Sequence, residues 1–181
     1  MRVFFASCTQ GEYGSQNARI AAIEATLREQ GHSVYSYIYD QQGLNDKRGY
    51  SELAEIILRH DIYIAEMSLP SQTLGFQIAF ALSGGKPCLY LYDSATHGNP
   101  DAPLANHPSR LLRIASYTPT NLEKRLKNFT DYSKKQMSSK RMSFMSTYEI
   151  DRFLDQTSAQ SNVPKSELIR NILNEAAQKY F

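Results

Sequence analysis

Side chains that can do acid–base chemistry follow two apolar stretches of the chain. Glu66 ends the run that begins at Asp61, and Asp93 comes directly after the next run. A carboxylate in such a place can act as a general acid, a general base or a nucleophile. His97 and His107 stand in the polar segment that follows, where an exposed histidine usually has no catalytic role. The sequence leaves Glu66 and Asp93 as candidates for an acid or a base, with a structural role as the commoner alternative.

The elements that would position these residues alternate between strand and helix. Short apolar or alternating runs predict strands at residues 2–8, 34–39, 61–66, 87–92 and 111–116. Apolar residues at helical spacing predict helices at about residues 15–30, 50–59, 75–83 and 121–132, and residues 93–110 form a loop or lid. This alternation predicts an α/β fold with a doubly wound parallel sheet, which binds ligands at the carboxyl ends of its strands.

The segment from Asp61 to Tyr92 carries a longer ordered motif. A strand ending in Ile-Ala-Glu leads into Pro-Ser-Gln-Thr-Leu-Gly-Phe-Gln, a helix, and then Gly-Lys-Pro-Cys-Leu-Tyr-Leu. This order resembles the nucleoside 2-deoxyribosyltransferases and the 2'-deoxynucleoside 5'-phosphate N-hydrolases, and the likeness covers about residues 1–130. The resemblance implies a flavodoxin-like sheet of the deoxyribosyltransferase type and a nucleoside or nucleotide as ligand. We predict no cofactor.

The resemblance assigns ligand-binding residues to two loops. Ser71 and Gly75 match the turn that presents a hydroxyl and backbone N–H groups to the sugar or its 5'-phosphate at a helix N-terminus. The opening Phe4-Phe5-Ala6-Ser7 turn agrees with the family's first phosphate-approaching loop, and the contacts predicted there are Ser7, Thr9 and Gly11. These residues are the predicted ligand contacts.

Gln77 stands where the family has the glutamate that attacks the anomeric carbon or stabilises an oxocarbenium-like transition state. A carboxamide is neutral and a poor nucleophile, although it can still bind a sugar hydroxyl. Thr73 replaces the first glycine of the motif, and the first loop lacks the basic residue often found there. These departures predict a catalytically degenerate ligand-binding site, with Glu66 as a less favoured substitute for the missing acid or base.

A change of charge marks the end of this first domain, which we place at residues 1–132. The segment from Tyr132 to Met142 holds four cations and no acid. Such a segment suits either a phosphate-binding patch or a solvated linker. We therefore predict a basic linker at residues 133–139.

After that linker the pattern is strand, helix, turn and helix. Residues 142–145 alternate as a short strand, Thr147 is the predicted N-cap of the next helix, and Pro164 opens the last one. With Lys-Ser-Glu-Leu-Ile-Arg at residues 165–170, this order resembles the ribbon-helix-helix repressors and antitoxins over residues 140–181. The resemblance implies a homodimer, because two chains interlock through the ribbon, and a tetramer if both domains self-associate.

Double-stranded DNA is the partner that a ribbon-helix-helix module implies. In that fold the ribbon inserts its outward side chains into the major groove, and these would be Arg141, Ser143 and Met145. Lys165 and Ser166 would contact phosphates at the N-terminus of the last helix. The alternative is that the module only dimerises the protein.

Composition sets bounds on the class of protein. Hydrophobic residues make up 41% of the chain and charged residues 21%, which does not indicate disorder. Apolar runs fall far short of the ~20 residues of a membrane span, and no secretory signal is apparent, so we expect a cytoplasmic protein without membrane contact. Cys8 and Cys88 match no metal spacing, and we predict buried reduced thiols and no metal site.

Two functions follow from these observations. The leading hypothesis is a DNA-binding regulator whose N-terminal domain is a pseudoenzyme that senses a nucleoside or nucleotide. The alternative is an active N-glycosidase, either a deoxyribosyltransferase or a deoxynucleotide N-hydrolase, whose C-terminal module only dimerises.

Overall fold

The computed structural model of the chain describes residues 1–9, 14–40, 50–95, 106–138 and 145–180. The chain divides into two compact units, Met1–Lys140 and Arg141–Phe181. In these described parts, none of the helices combines the length and the apolar character that crossing a membrane requires.

Five parallel strands form the sheet of the first unit. They are β1 (Arg2–Thr9), β2 (Ser33–Asp40), β3 (Ile62–Glu66), β4 (Cys88–Asp93) and β5 (Leu112–Tyr117). Their spatial order is β2-β1-β3-β4-β5, and each neighbouring pair is parallel. Every residue of β3 is buried, as expected for a strand covered on both faces. The predicted parallel sheet is confirmed, and its order is that of flavodoxin-like folds.

Helices cover both faces of this sheet. They are α1 (Gly14–Glu29), α2 (Tyr50–Arg59), α3 (Gln72–Ser83) and α4 (Leu122–Ser138). On one face, Leu53 of α2 and Leu74 of α3 pack with Tyr63 of β3. On the other face, Ile23 of α1 and Leu126 of α4 belong to a second buried cluster. The two apolar layers explain why the sheet is doubly wound, as the sequence predicts.

The start of α3 differs from the prediction. The helix begins at Gln72 rather than near Gly75, because Ser71 caps it. The Ser71 hydroxyl accepts a hydrogen bond from the Leu74 N–H at 3.3 Å. The glycine therefore lies inside the first turn of the helix.

The end of α4 also differs from the prediction. The helix continues to Ser138, so residues 133–138 are helical and are not the linker that their charge suggests. Ser133 is fully buried, and its hydroxyl donates to the Phe129 carbonyl at 2.8 Å. The inner face of the helix thus extends past Tyr132, whereas the lysines that follow occupy the solvent side.

The second unit contains two described helices, α5 (Tyr148–Ser161) and α6 (Lys165–Tyr180). Thr147 caps α5 as predicted, since its hydroxyl accepts from the Ile150 N–H at 3.5 Å. Asn162, between the helices, adopts a left-handed φ of 55°. Of the predicted ribbon at residues 142–145, only Met145 lies among the described residues, and its side chain is 99% exposed.

Candidate active site

Glu66 lies at the carboxyl end of β3 and is buried. The register of β1 and β3 places it beside Ser7, whose hydroxyl donates to Glu66 Oε2 at 3.2 Å. Tyr117, at the end of β5, donates to Glu66 Oε1 at 3.2 Å. Ser68 donates to the same oxygen through its N–H and through its hydroxyl. Four donor groups from three residues therefore hold both oxygens of this carboxylate.

Asp93 belongs to the same polar cluster. Its backbone N–H donates to the Ser68 hydroxyl at 2.8 Å. Its carboxylate pairs with Arg19 of α1 at 3.1 Å and accepts from the Ala95 N–H at 2.9 Å. The cluster therefore ties the carboxyl ends of β3, β4 and β5 to α1.

These contacts favour a structural role for Glu66. Leaving a buried hydrogen-bond donor without its acceptor costs free energy, so the carboxylate cannot easily turn toward a substrate. Burial, together with the nearby charge of Glu66, raises the pKa of Tyr117, so this hydroxyl remains a donor at neutral pH. Glu66 therefore holds together the strand ends from which the predicted ligand-binding loops start.

Gln77 projects from the middle of α3 and is 2% exposed. The Tyr63 hydroxyl donates to Gln77 Oε1 at 2.8 Å. Burial raises the pKa of Tyr63 well above its ordinary value, and the tyrosine therefore stays protonated. Gln77 Nε2 is buried and has no hydrogen-bond partner among the described residues.

The unpaired amide of Gln77 determines what this position can do. A buried N–H without a partner costs about 1–3 kcal/mol, so a group of this kind requires an explanation. An oxygen atom of a bound ligand would satisfy it. Because Tyr63 holds Oε1, the amide offers a hydrogen-bond donor, and it cannot supply the negative charge that an oxocarbenium-like transition state requires.

Ser71 and Gly75 lie at the first turn of α3, close in sequence to the end of β3. The Ser71 carbonyl accepts from the Gly75 N–H at 3.0 Å. Apart from its chain neighbours and the backbone of its own helix, no atom of the described residues lies within 4 Å of the place where a side chain at Gly75 would begin. The first turn of a helix leaves backbone N–H groups unpaired, and it favours anions. Ser71 already accepts from the N–H groups of Leu74 and Gly75, and binding of a phosphate at this turn stays a prediction.

The other residues predicted from the sequence fall into two groups, those that the structure describes and those that it does not. Thr9 ends β1 and is partly buried, whereas Gly11 and His97 lie outside the described residues. His107 is exposed, and its Nδ1 accepts only a local hydrogen bond, from the Ser109 N–H at 3.1 Å. A role for His107 in the chemistry finds no support in this geometry.

The residues predicted to contact DNA are only partly described. Arg141 and Ser143 lie outside the described residues, and Ser166 is exposed. Lys165 pairs with Asp155 Oδ1 at 2.5 Å, which engages part of its charge. DNA binding by these side chains stays a prediction.

Sequence reasoning missed Tyr63, Ser68 and Tyr117. A tyrosine inside a buried strand needs a partner for its hydroxyl, and this requirement was the one available signal for Tyr63. Tyr117 is in register with Asp93 on the neighbouring strand. Their contact depends on the pairing of β4 and β5, which no spacing in the sequence specifies.

Comparison with known proteins finds relatives that are named as N-hydrolases. A protein of Syntrophotalea carbinolica, named as a candidate 2'-deoxynucleoside 5'-phosphate N-hydrolase 1, is 32% identical over 99 residues. The match covers 51% of this chain and 68% of that protein. A protein of Thermofilum pendens with the same name is 28% identical over 97 residues, which cover 50% of this chain and 67% of its own.

A solved structure supports the fold independently. The CMP N-glycosidase of Clostridium botulinum has a TM-score of 0.51 at 20% identity, and the alignment covers 70% of this chain and 99% of that protein. No protein-family model matches the chain. The identity and coverage of the first relative decide the assignment, and the chain belongs to the 2'-deoxynucleoside 5'-phosphate N-hydrolase family.

Proposed function

We propose that the first unit binds a nucleoside 5'-phosphate and hydrolyses its N-glycosidic bond slowly, without forming a covalent bond to the sugar. The relatives are named for cleavage of this bond in deoxynucleotides, and the structural neighbour is named for its cleavage in CMP. The buried Gln77 amide, with its unpaired Nε2, carries the proposal. It offers a ligand oxygen a partner at the position where the family has its reactive carboxylate.

The absence of that carboxylate determines the chemistry of this proposal. The bond between the anomeric carbon and the base nitrogen breaks, and its electron pair leaves with the base, which takes up a proton. A water oxygen then bonds to the anomeric carbon and releases its proton. Gln77 can hold a ligand oxygen during this step but cannot stabilise the positive charge on the sugar, so we expect a slow reaction.

The test is release of free base by the unmodified protein. CMP, dCMP and the corresponding unphosphorylated nucleosides are incubated with the protein, and free base is separated by chromatography. We expect slow release from the monophosphates and less from the nucleosides, because the first turn of α3 favours an anion. Binding of nucleotide with release no faster than without protein would contradict hydrolysis and support the nucleotide-sensor hypothesis.

The second unit supports a separate proposal, which is self-association. Among the described apolar side chains of α5, Leu154 is the buried one. Phe153 of α5 and Leu173 of α6 remain 54% and 53% exposed. A unit of about 40 residues rarely buries enough apolar surface to be stable without a partner. We therefore propose that α5 and α6 pair with a second copy of the chain, as the ribbon-helix-helix resemblance implies.

A paired substitution tests this assembly and the DNA binding linked to it. The double variant Phe153→Ser with Leu173→Ser is expected to shift the protein toward monomer in size-exclusion chromatography with light scattering. The control Asn174→Ser, at an exposed polar residue of α6, is expected to leave the assembly unchanged. If the regulatory hypothesis holds, the unmodified dimer also binds duplex DNA, and its affinity falls as the salt concentration rises. Binding of duplex DNA by the monomeric variant would contradict DNA binding through a dimeric ribbon. So would the absence of DNA binding by the dimer at low salt.

A further inference from the structure

A groove of about 250 Å³ lies between β5 and α4. Its floor includes the buried side chains of Leu89 and Phe129. Arg113 of β5, together with Arg125 and Asn128 of α4, lines its rim. The floor is therefore apolar, and the rim is rich in hydrogen-bond donors. The two arginines can only donate, and the asparagine has an amide that donates.

The groove is separate from the polar cluster around Glu66. Arg113 is the second residue of β5, whereas Tyr117, which contacts Glu66, is the last. Four residues along a strand correspond to about 13 Å. Ala115, the fourth residue of β5, also lines the groove, so the groove extends from near the amino end of β5 to its middle, and Arg113 lies at the end farther from Glu66.

The two guanidinium groups at the rim can bind an anion. Both arginine side chains are exposed, and neither forms an ion pair with a carboxylate in the described part of the chain. The Cζ atom of Arg113 lies 4.2 Å from the centre of the Tyr132 ring, a cation–π distance. The Tyr132 hydroxyl in turn donates to the Arg110 carbonyl at 2.5 Å, which fixes the ring.

This arrangement leaves Arg113 oriented before any ligand arrives. A guanidinium stacked on a ring keeps its N–H groups in its own plane, where they can form two parallel bonds to an oxyanion. Arg125 lines the same groove and carries a second guanidinium group, and the Asn128 amide is a further donor. A tetrahedral anion with several acceptor oxygens matches this set of donors better than a single carboxylate does.

We propose that this groove binds a small phosphomonoester, with the phosphate at the two arginines and the carbon skeleton over the apolar floor. Pockets for drug-sized ligands usually measure about 300–1,000 Å³, so the volume here favours a small sugar phosphate over a nucleotide. The proposal concerns a different part of the sheet and does not depend on the proposed hydrolysis.

The test follows the Asn128 side-chain amide and the Phe129 backbone amide by NMR in the full chain during titration. The probes are ribose 5-phosphate, inorganic phosphate and ribose. We expect saturable shifts with both phosphates, a tighter response to ribose 5-phosphate, and none with ribose. Inorganic phosphate binding as tightly as ribose 5-phosphate would contradict the role of the apolar floor.

Two double variants distinguish binding by the two arginines of the groove from general attraction of the anion by surface charge. Arg113→Ala with Arg125→Ala should weaken binding by about tenfold or more, as expected for the loss of charge-assisted bonds. Lys124→Ala with Lys135→Ala removes the same charge from α4 outside the groove and should leave the affinity nearly unchanged. Equal weakening in both variants, or no saturable shift at millimolar phosphate, would overturn the proposal. Should the alanine pair fail to fold, Arg113→Lys with Arg125→Lys keeps the charge and is expected to weaken binding through loss of the forks alone.

Discussion

Replacing Gln77 with glutamate is expected to accelerate base release by about 10²–10⁴-fold, the contribution typical of a positioned acid–base carboxylate. The new side chain has nearly the same shape. Its Oε1 can keep the bond that the Tyr63 hydroxyl makes at 2.8 Å to Gln77. Its second oxygen takes the place of the unpaired Nε2 and brings a negative charge to the position where the family has one. Steady-state rates with CMP and dCMP measure the effect.

The control for this substitution is Gln77→Leu, which fills similar space without a polar group. It should not gain activity, and it should leave the Tyr63 hydroxyl without its acceptor. A Gln77→Glu protein that is folded and binds nucleotide, yet releases base no faster than the unmodified chain, would show that the pocket lacks more than its carboxylate. Thr73, in place of the family's first glycine, would then be the next residue to restore.

The sequence was sufficient to predict the sheet because burial on both faces leaves a simple pattern. β3 and β4 are short apolar runs between polar turns, and their predicted limits lie within one residue of the observed ones. The alternation of strands with helices then restricts the connection to a parallel arrangement. Local pattern and fold agree here, and neither depends on side-chain chemistry.

The candidate site was predictable only in part, because its geometry depends on contacts between distant residues. Gln77 was identified from the order of one continuous motif. Its orientation comes from Tyr63, which faces it from a strand fourteen residues earlier. Ser68 is two residues from Glu66, but the other partners of Glu66, Ser7 and Tyr117, are distant in the chain and meet it only after the strands have paired. A pattern that is read along the chain contains no information about such a cluster.

Charge misled the prediction at one boundary. The cations after Tyr132 suggested a linker, yet residues 133–138 continue α4. Lysines on the solvent side of a helix and lysines in a linker look alike in composition. The single buried Ser133, on the inner face of the helix, was too weak a signal to separate them.

Removing the carboxylate of Glu66 is expected to destabilise the first unit by about 2–4 kcal/mol, because several buried donors would lose their acceptor. Glu66→Gln replaces one acceptor oxygen with an amide NH₂ group, which cannot accept from the hydroxyls of Ser7, Ser68 and Tyr117. Urea unfolding followed by circular dichroism measures the loss. The matched control is Glu55→Gln, which breaks an exposed pair with Arg59 and should change stability by less than about 1 kcal/mol.

The same variant distinguishes a structural role of Glu66 from a role as a substitute general acid or base. If the role is structural, Glu66→Gln lowers the urea concentration at the unfolding midpoint. Base release at low temperature by the Gln77→Glu protein then falls in proportion to the folded fraction. A catalytic acid or base predicts the reverse, with unchanged stability and a large fall in rate per folded molecule. The four donor bonds to Glu66 favour the first outcome, because a group committed to several buried partners contributes more to the position of the strand ends than to proton transfer.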